Sequence, residues 1–400
     1  MITSIQQSLR RGSKLFSLRQ LRSNLGERSS RATDNSNTAS TVTRVTQTYT
    51  TMAAPCKPQG TIKTRILIIS DSHSAPLQPS TGAAAAGDHN SYARAFQSPL
   101  PAADVLLHCG DLTMIGHLDE YRGALDMLGA VDAPLKLVIA GNHDISLDGQ
   151  FYHGLSKGVD KSNGKRMHRD DFDEKMPDQA AEMWKGELAR KAGVTYLEEG
   201  LHEFELGNGA RLKIYSSPYQ PEFYNWAFAY DHHEDRFNPP NLPPTPLPPN
   251  SKPYKNIAVT PVPELPAARS IDVFMTHGPP LRRLDRTATG LDVGCPHLLR
   301  AAERARPRLY CFGHIHEGWG AERVCWSGEE KDAGVKEVER VQVDDAEAVK
   351  RHAALADVSS EGGRPLRAGE ETLMVNASIM DLGYSPSNAP WLVELDLPKA

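Results

Sequence analysis

Five short apolar runs in this chain each close on a cluster of carboxylate, amide or imidazole side chains, and that repetition limits the folds open to it. They are "TRILIISDSHS" (64–74), "ADVLLHCGDLT" (103–113), "LKLVIAGNHD" (135–144), "IDVFMTHGPP" (271–280) and "RLYCFGHIHE" (308–317). Their interiors are leucine-rich and β-branched, without apolar/polar alternation, as in strands buried on both faces. Stretches of helical character lie between some of them, at "LDEYRGALDML" (118–128), "DQAAEMWKGELARKAG" (178–193) and "CPHLLRAAERAR" (295–306). A layered α/β domain follows. With 400 residues the chain can bury a substantial core and carry insertions.

In open α/β sheets ligands gather beyond the carboxyl ends of the strands, where these polar clusters fall. On an extended chain residues i and i+2 face one side, so Asp71 with His73, and His314 with His316, can be presented in pairs. Gly110, Gly141, Gly278 and Gly313 stand beside the donors, where a missing Cβ permits sharp turns and close approach to a ligand. A lone H-x-H or G-D is weak, and each reads equally well as an ordinary polar strand end. Five in order form a strong signal.

The ordered set D-x-H, G-D, G-N-H-D, T-H-G and G-H-x-H resembles the calcineurin-like metallophosphoesterase superfamily. More narrowly, "VIAGNHD", "SPYQPEFYNWAF" (217–228), "THGPPLRRLD", "PRLYCFGHIHEGWG" and "VNAS" are similar to the branch of metallophosphoesterase-domain-containing proteins, themselves similar to class III cyclic-nucleotide phosphodiesterases. The resemblance implies a four-layer α/β/β/α sandwich with surface insertions and a dinuclear metal centre. Carried over by position, it gives Asp71, His73 and His316 to one metal and Asn142, His277 and His314 to the other, with Asp111 bridging. His143 would point off the metals toward the leaving-group oxygen as proton donor or charge stabiliser, with Asp144 fixing its orientation.

The donor chemistry agrees. Oxygen and imidazole without thiolate suits two divalent ions, Mn²⁺ first, with Fe, Zn²⁺ or Mg²⁺ as alternatives. Two carboxylates against two dications leave about +2, an attractive place for phosphate, and such a pair generates hydroxide near neutral pH. The expected activity is hydrolysis of small or cyclic nucleotide-like phosphodiesters. A phosphomonoesterase, protein phosphatases included, is the alternative within enzymes, and a non-catalytic interaction scaffold is the alternative outside them.

Other residues have plainer readings. His108 should point away from Asp111 and pack or hydrogen-bond, Cys109 and Cys311 should be buried thiols, and Phe223, Tyr224 and Trp226 are assigned to core ahead of a base-stacking cleft. Arg282 and Arg283 can reach the phosphate rim or face water.

Charge and composition exclude several classes. Residues 1–51 hold a local +6 while the whole chain is −5, so the remainder is acidic and offers no footprint for duplex nucleic acid. No apolar run approaches the ~18–20 residues of a membrane span. Five scattered cysteines argue for reduced thiols and an intracellular setting. The Arg- and Ser-rich start suits either a mitochondrial presequence or a disordered tail, leaving cytoplasm or mitochondrion open, and Met52 can serve as an internal start. The expected organisation is a tail over 1–60 and one metallophosphoesterase domain over 61–400, decorated by a Pro-rich surface loop at 238–253 and a solvated charged insertion at 327–370. Oligomeric state has no signature in the sequence.

Overall fold

The computed structural model describes residues 60–79, 95–155, 173–264, 271–327 and 334–400; the N-terminal stretch 1–59, with its tail or presequence, lies outside the described residues. Each apolar run forms a strand at the expected place. In sheet I, β1 (Thr61–Ile69), β2 (Val105–His108) and β3 (Leu135–Val138) pair in parallel, followed by β4 (Val194–Tyr196). In sheet II, β5 (Gly200–Glu205) pairs antiparallel with β6 (Arg211–Ser217), and β6, β7 (Val273–Thr276) and β8 (Leu309–Phe312) run parallel.

Strand alternation divides the apolar side chains between two cores. Ile66 and Ile68 of β1, Val105 and Leu107 of β2, Val273 and Met275 of β7, and Leu309 and Cys311 of β8 all enter the core between the sheets. Leu67, Ile69 and Leu106 point the other way, onto helices α1 (Leu118–Gly129), α3 (Met176–Lys185) and α4 (Glu187–Ala192). Phe274, Tyr310 and Phe312 pack against Leu298, Ala301, Ala302 and Ala305 of α5 (Pro296–Ala305). The layers are therefore α/β/β/α. Burying both faces is why the runs are continuously apolar, each large side chain stabilising the fold by about 1.5–3 kcal/mol. A short α2 (Gly149–Leu155) lies in the connection after β3.

Two expectations are corrected. The helix expected over 178–193 is two helices, because Gly186 between α3 and α4 is extended (ψ −152°) and a Cβ there would collide with the Glu182 carbonyl. The 327–370 segment is not merely a solvated insertion. Besides the short helix that "DDAEAVKRHAALADV" (344–358) leads one to expect, which forms as α6 (Asp345–Arg351), it supplies β10 (Val335–Arg340), antiparallel to β9 (Gly320–Trp326) at the edge of sheet II. It then supplies β11 (Ala354–Asp357), parallel to the chain-terminal β13 (Trp391–Pro398) at the edge of sheet I. β10 is charged because an edge strand exposed on both faces has nothing to bury. β12 (Glu371–Asn376) enters sheet II between β9 and β8, and β13 enters sheet I between β11 and β1. Residues 238–253 contain no helix or strand. No helix among the described residues is long and apolar enough to cross a membrane.

Candidate metal centre

The two sheets meet where β1 ends. Ser70 donates its N–H to the Ala377 carbonyl (2.9 Å) and accepts from the Ile379 N–H (3.1 Å), so the chain leaving sheet I is stitched to the chain leaving β12 of sheet II. Just beyond, Asp71 (φ 54°), His73 (φ 43°), Asp111 (φ 54°) and His314 (φ 67°) all adopt left-handed backbone conformations. Each costs about 1–3 kcal/mol for a residue with a Cβ, and such strain persists where surroundings over-determine it, typically at functional sites. Two glycines make room. A Cβ on Gly110 (φ 97°) would stand 2.7 Å from His277 Nδ1, and one on Gly313 would strike Ser70 and the Asp71 carboxylate.

All seven residues expected as metal ligands converge here. Donor atoms of Asp71, His73 and His316 lie within 4.8 Å of one another, as do those of Asp111, His277 and His314. His73 Nε2 is 3.7 Å and His277 Nε2 3.4 Å from opposite oxygens of Asp111, which therefore lies between the two groups. Asn142 Oδ1 is 2.9 Å from His277 Nε2. Carbonyl partners fix the ring orientations: the Nδ1–H of His73 donates to Thr113 (3.0 Å), that of His277 to Cys109 (2.9 Å) and that of His316 to Asp381 (3.1 Å). That tautomer leaves lone pairs on Nε2, and it sets the Nε2 atoms of His73 and His316 face to face at 3.4 Å. Two lone pairs in that position repel unless positive charge, a proton on His316 or a shared cation, lies between them. The donor set therefore fits divalent metal.

Electrostatics agrees with this fit. Burial, then neighbouring imidazoles, hold His73 and His314 well below their ordinary value, and burial lowers His277, so these rings offer lone pairs at neutral pH. His316 is raised: burial opposes its proton, but the contact with Asp71 prevails. Burial alone would raise Asp71, yet His316 and the other imidazoles bring it well below the carboxylate range. Asp111 goes well above it, through burial and then the Asp71 charge. Two buried carboxylates that force each other apart mark a place where positive charge is stabilised.

His143 and Asp144 sit in the same cleft. A ring nitrogen of His143 lies within 4.8 Å of donor atoms of His73 and Asp111, so the side chain borders the centre. Its orientation is set by the Met114 carbonyl, accepting from Nδ1 at 2.7 Å, and by Trp226 stacked on the ring at 4.1 Å. Burial pulls it down to about 4. Asp144 does not orient that ring directly. Its carboxylate accepts the N–H groups of Leu112, Thr113 and Gly141 and the Thr113 hydroxyl, tying the turn after β2 to the turn after β3. Burial and then Asp111 push it up to about 7. Glu120 at the start of α1 accepts the N–H groups of Met114, Ile115 and His117, which holds the Met114 carbonyl in place.

The aromatic stretch is the main misreading among the remaining residues. Phe223 and Tyr224 are each 52% exposed rather than core, and Phe223 lies edge-on to His314 at 6.1 Å. Arg283 turns to Glu322 (3.2 Å). His108 bonds Ser72 Oγ (2.9 Å), and Cys109 and Cys311 are buried free thiols, as expected. Sequence reasoning missed Ser378, whose hydroxyl donates to Asp71 (2.7 Å), and Tyr384, whose ring lies 4.9 Å from His73. The "VNAS" stretch was the available signal for Ser378; Tyr384 had none.

The family model described as calcineurin-like phosphoesterase matches residues 64–318. The chain belongs to the calcineurin-like phosphoesterase family, whose members are metal-dependent phosphoester hydrolases. That span holds all seven expected ligands together with His143 and Asp144. The chain is 27% identical over 349 residues to metallophosphoesterase domain-containing protein 1 of Homo sapiens and of Mus musculus, covering 86% of this chain and 74% of each relative. It is 30% identical over 233 residues to UPF0046 protein T07D4.2 of Caenorhabditis elegans, covering 56% of this chain and 48% of that one. Among solved structures, a purple acid phosphatase from yellow lupin aligns over 81% of this chain at 12% identity and a TM-score of 0.32; the chain spans 46% of its length.

Proposed function

We propose that this chain hydrolyses small phosphodiesters, nucleotide-like or cyclic, at a dinuclear centre loaded with Mn²⁺. Asp71, His73 and His316 hold one ion, Asn142, His277 and His314 the other, and Asp111 is shared. The observation that carries this reading is the placement of Asp111 between two donor groups, with one oxygen 3.7 Å from His73 and the other 3.4 Å from His277. When bound, the ion pair supplies positive charge that activates water and steadies the phosphoryl oxygens of an in-line displacement.

The protein's own groups do the rest. Carbonyl-anchored imidazoles hold their lone pairs inward without further ordering, and the strained turns at Asp71, Asp111 and His314 keep donors preorganised. With Nδ1 committed to Met114 and burial leaving Nε2 unprotonated at neutral pH, His143 exchanges a proton only at Nε2, where it first takes one from the attacking water and then passes it to the departing alkoxide. Trp226 backs that ring, and the exposed faces of Phe223 and Tyr224 beside His314 offer a surface on which a planar base stacks.

The test compares a bis-aryl phosphodiester with the matching monoester on Mn²⁺-loaded protein, followed by a cyclic-nucleotide screen. Faster turnover of the diester is expected. Preference for the monoester would make the chain a phosphomonoesterase, and inertness toward both, equal to that of Asp111→Ala, would make it a scaffold.

A further inference from the structure

Tyr384 belongs to none of the motifs, yet its ring is fixed against three imidazoles from two strand-end motifs and the G-N-H-D turn. Its centroid is 4.9 Å from His73, 5.5 Å from His316 and 6.1 Å from His143, edge-on to each, which places it over the donor cluster rather than in a core. The backbone beneath it is a built device. The Asp381 carboxylate accepts the N–H groups of Gly383 (2.7 Å) and Ser385 (3.1 Å) and the Ser387 hydroxyl (2.7 Å), and its carbonyl accepts from Tyr384 N–H (3.0 Å). That same Asp381 carbonyl accepts from His316 Nδ1, so the turn presenting the tyrosine is tied to an imidazole of the cluster. Tyr384 has φ 59°. A bulky residue in the left-handed region is a strained choice where glycine or asparagine would turn the chain without cost, and such strain concentrates at working sites.

We infer that Tyr384 is a further catalytic residue, whose hydroxyl donates a hydrogen bond to a non-bridging oxygen of the phosphoryl group as it is hydrolysed. The inference rests on the phosphoester-hydrolase reading above. In that reaction a bond forms from phosphorus to the water oxygen, the bond to the leaving oxygen breaks, and that oxygen departs with a proton. Charge meanwhile spreads over the non-bridging oxygens, and a preorganised neutral donor aimed at them stabilises the transition state more than the ground state. Tyr384 keeps its own proton throughout.

The experiment uses the full chain, wild type and Tyr384→Phe, which retains the ring and its packing on the histidines. For Y384F, kcat on a bis-aryl phosphodiester should fall by about 10²-fold. KM should stay within about threefold, since the lost contact belongs to the transition state. Inorganic phosphate, whose oxygens carry more negative charge than a diester's and so take up that hydrogen bond already in the bound state, should bind about tenfold more weakly by calorimetry. Metal content by elemental analysis should be unchanged. Equal kcat and equal phosphate affinity in the two proteins would overturn the assignment and leave Tyr384 as packing. A fall in metal content would overturn it too, making the hydroxyl a ligand. If the wild type turns over no phosphoester, the hydrolase reading itself fails and the assignment with it, an outcome distinct from an active wild type matched by Y384F.

Discussion

The strand ends of sheet I and sheet II bring different chemistry to the cleft. β1, β2 and β3 deliver the Asp71 and Asp111 carboxylates, the amide of Asn142 and two imidazoles, His73 and His143; β7 and β8 deliver three imidazoles, His277, His314 and His316. The carboxylates come from one sheet and most of the imidazoles from the other. The groups meet through few direct links: the Ser70 ladder to Ala377 and Ile379, the Ser378 hydroxyl on Asp71, and the His314 N–H on the same carboxylate at 3.0 Å. The His277 Nδ1–H on the Cys109 carbonyl (2.9 Å) adds another such link, and between the sheets lies the apolar core. The cleft is therefore a property of sheet docking, and damage to the interface should reach the metals while damage within a sheet should not.

The largest effect should come from the residue shared by both donor groups. Asp111→Asn keeps the shape and removes the charge, and turnover should fall on the order of 10³-fold with metal lost from both groups, read by activity and elemental analysis. Retention of two metals would break the account of a shared carboxylate.

Next comes the interface itself. Trp391 of β13 is fully buried in the core between the sheets and packs on Trp319, just past His316, at 5.4 Å. Trp391→Ala should cost about 3–5 kcal/mol in denaturant unfolding and lower metal affinity together with stability. The contrast is Glu371, paired with Arg323 (2.9 Å) between neighbouring strands of sheet II. Glu371→Gln should cost about 1–3 kcal/mol and leave metal content intact. Burial would raise the Glu371 carboxyl, but the Arg367 N–H and the Arg367 and Arg323 side chains outweigh it, leaving it below the ordinary 4.5. A carboxylate depressed in the folded state stabilises above its unfolded value and loses that contribution as pH falls through the folded one. The wild type should therefore lose stability below about pH 4.5 more steeply than E371Q, as thermal melts across that range will read.

The smallest effect expected is at the seam. Ser378→Ala removes one hydroxyl from Asp71, and should cost about 1 kcal/mol of stability and about tenfold in metal affinity, measured by chelator competition.

What the sequence disclosed and what it hid divide along physical lines. Asp71, His73, Asp111, Asn142, His277, His314 and His316 were legible because each sits within four residues of a buried strand end, so local order fixes its place. The carbonyls of Thr113, Cys109, Met114 and Asp381 that orient the rings have no side-chain signature, and only tertiary structure brings them there. Tyr384 reaches the cluster from the turn after β12, outside every motif. β10 was hidden for the opposite reason: an exposed edge strand of alternating charge has no apolar pattern to read.

The central claim is that the chain binds two divalent ions through one shared carboxylate, and elemental analysis of the purified full-length protein reloaded with Mn²⁺ tests it most directly. The account predicts about two ions per wild-type chain and fewer than one in Asp111→Asn. A wild-type stoichiometry of one or none, or two ions retained without the Asp111 charge, would contradict it.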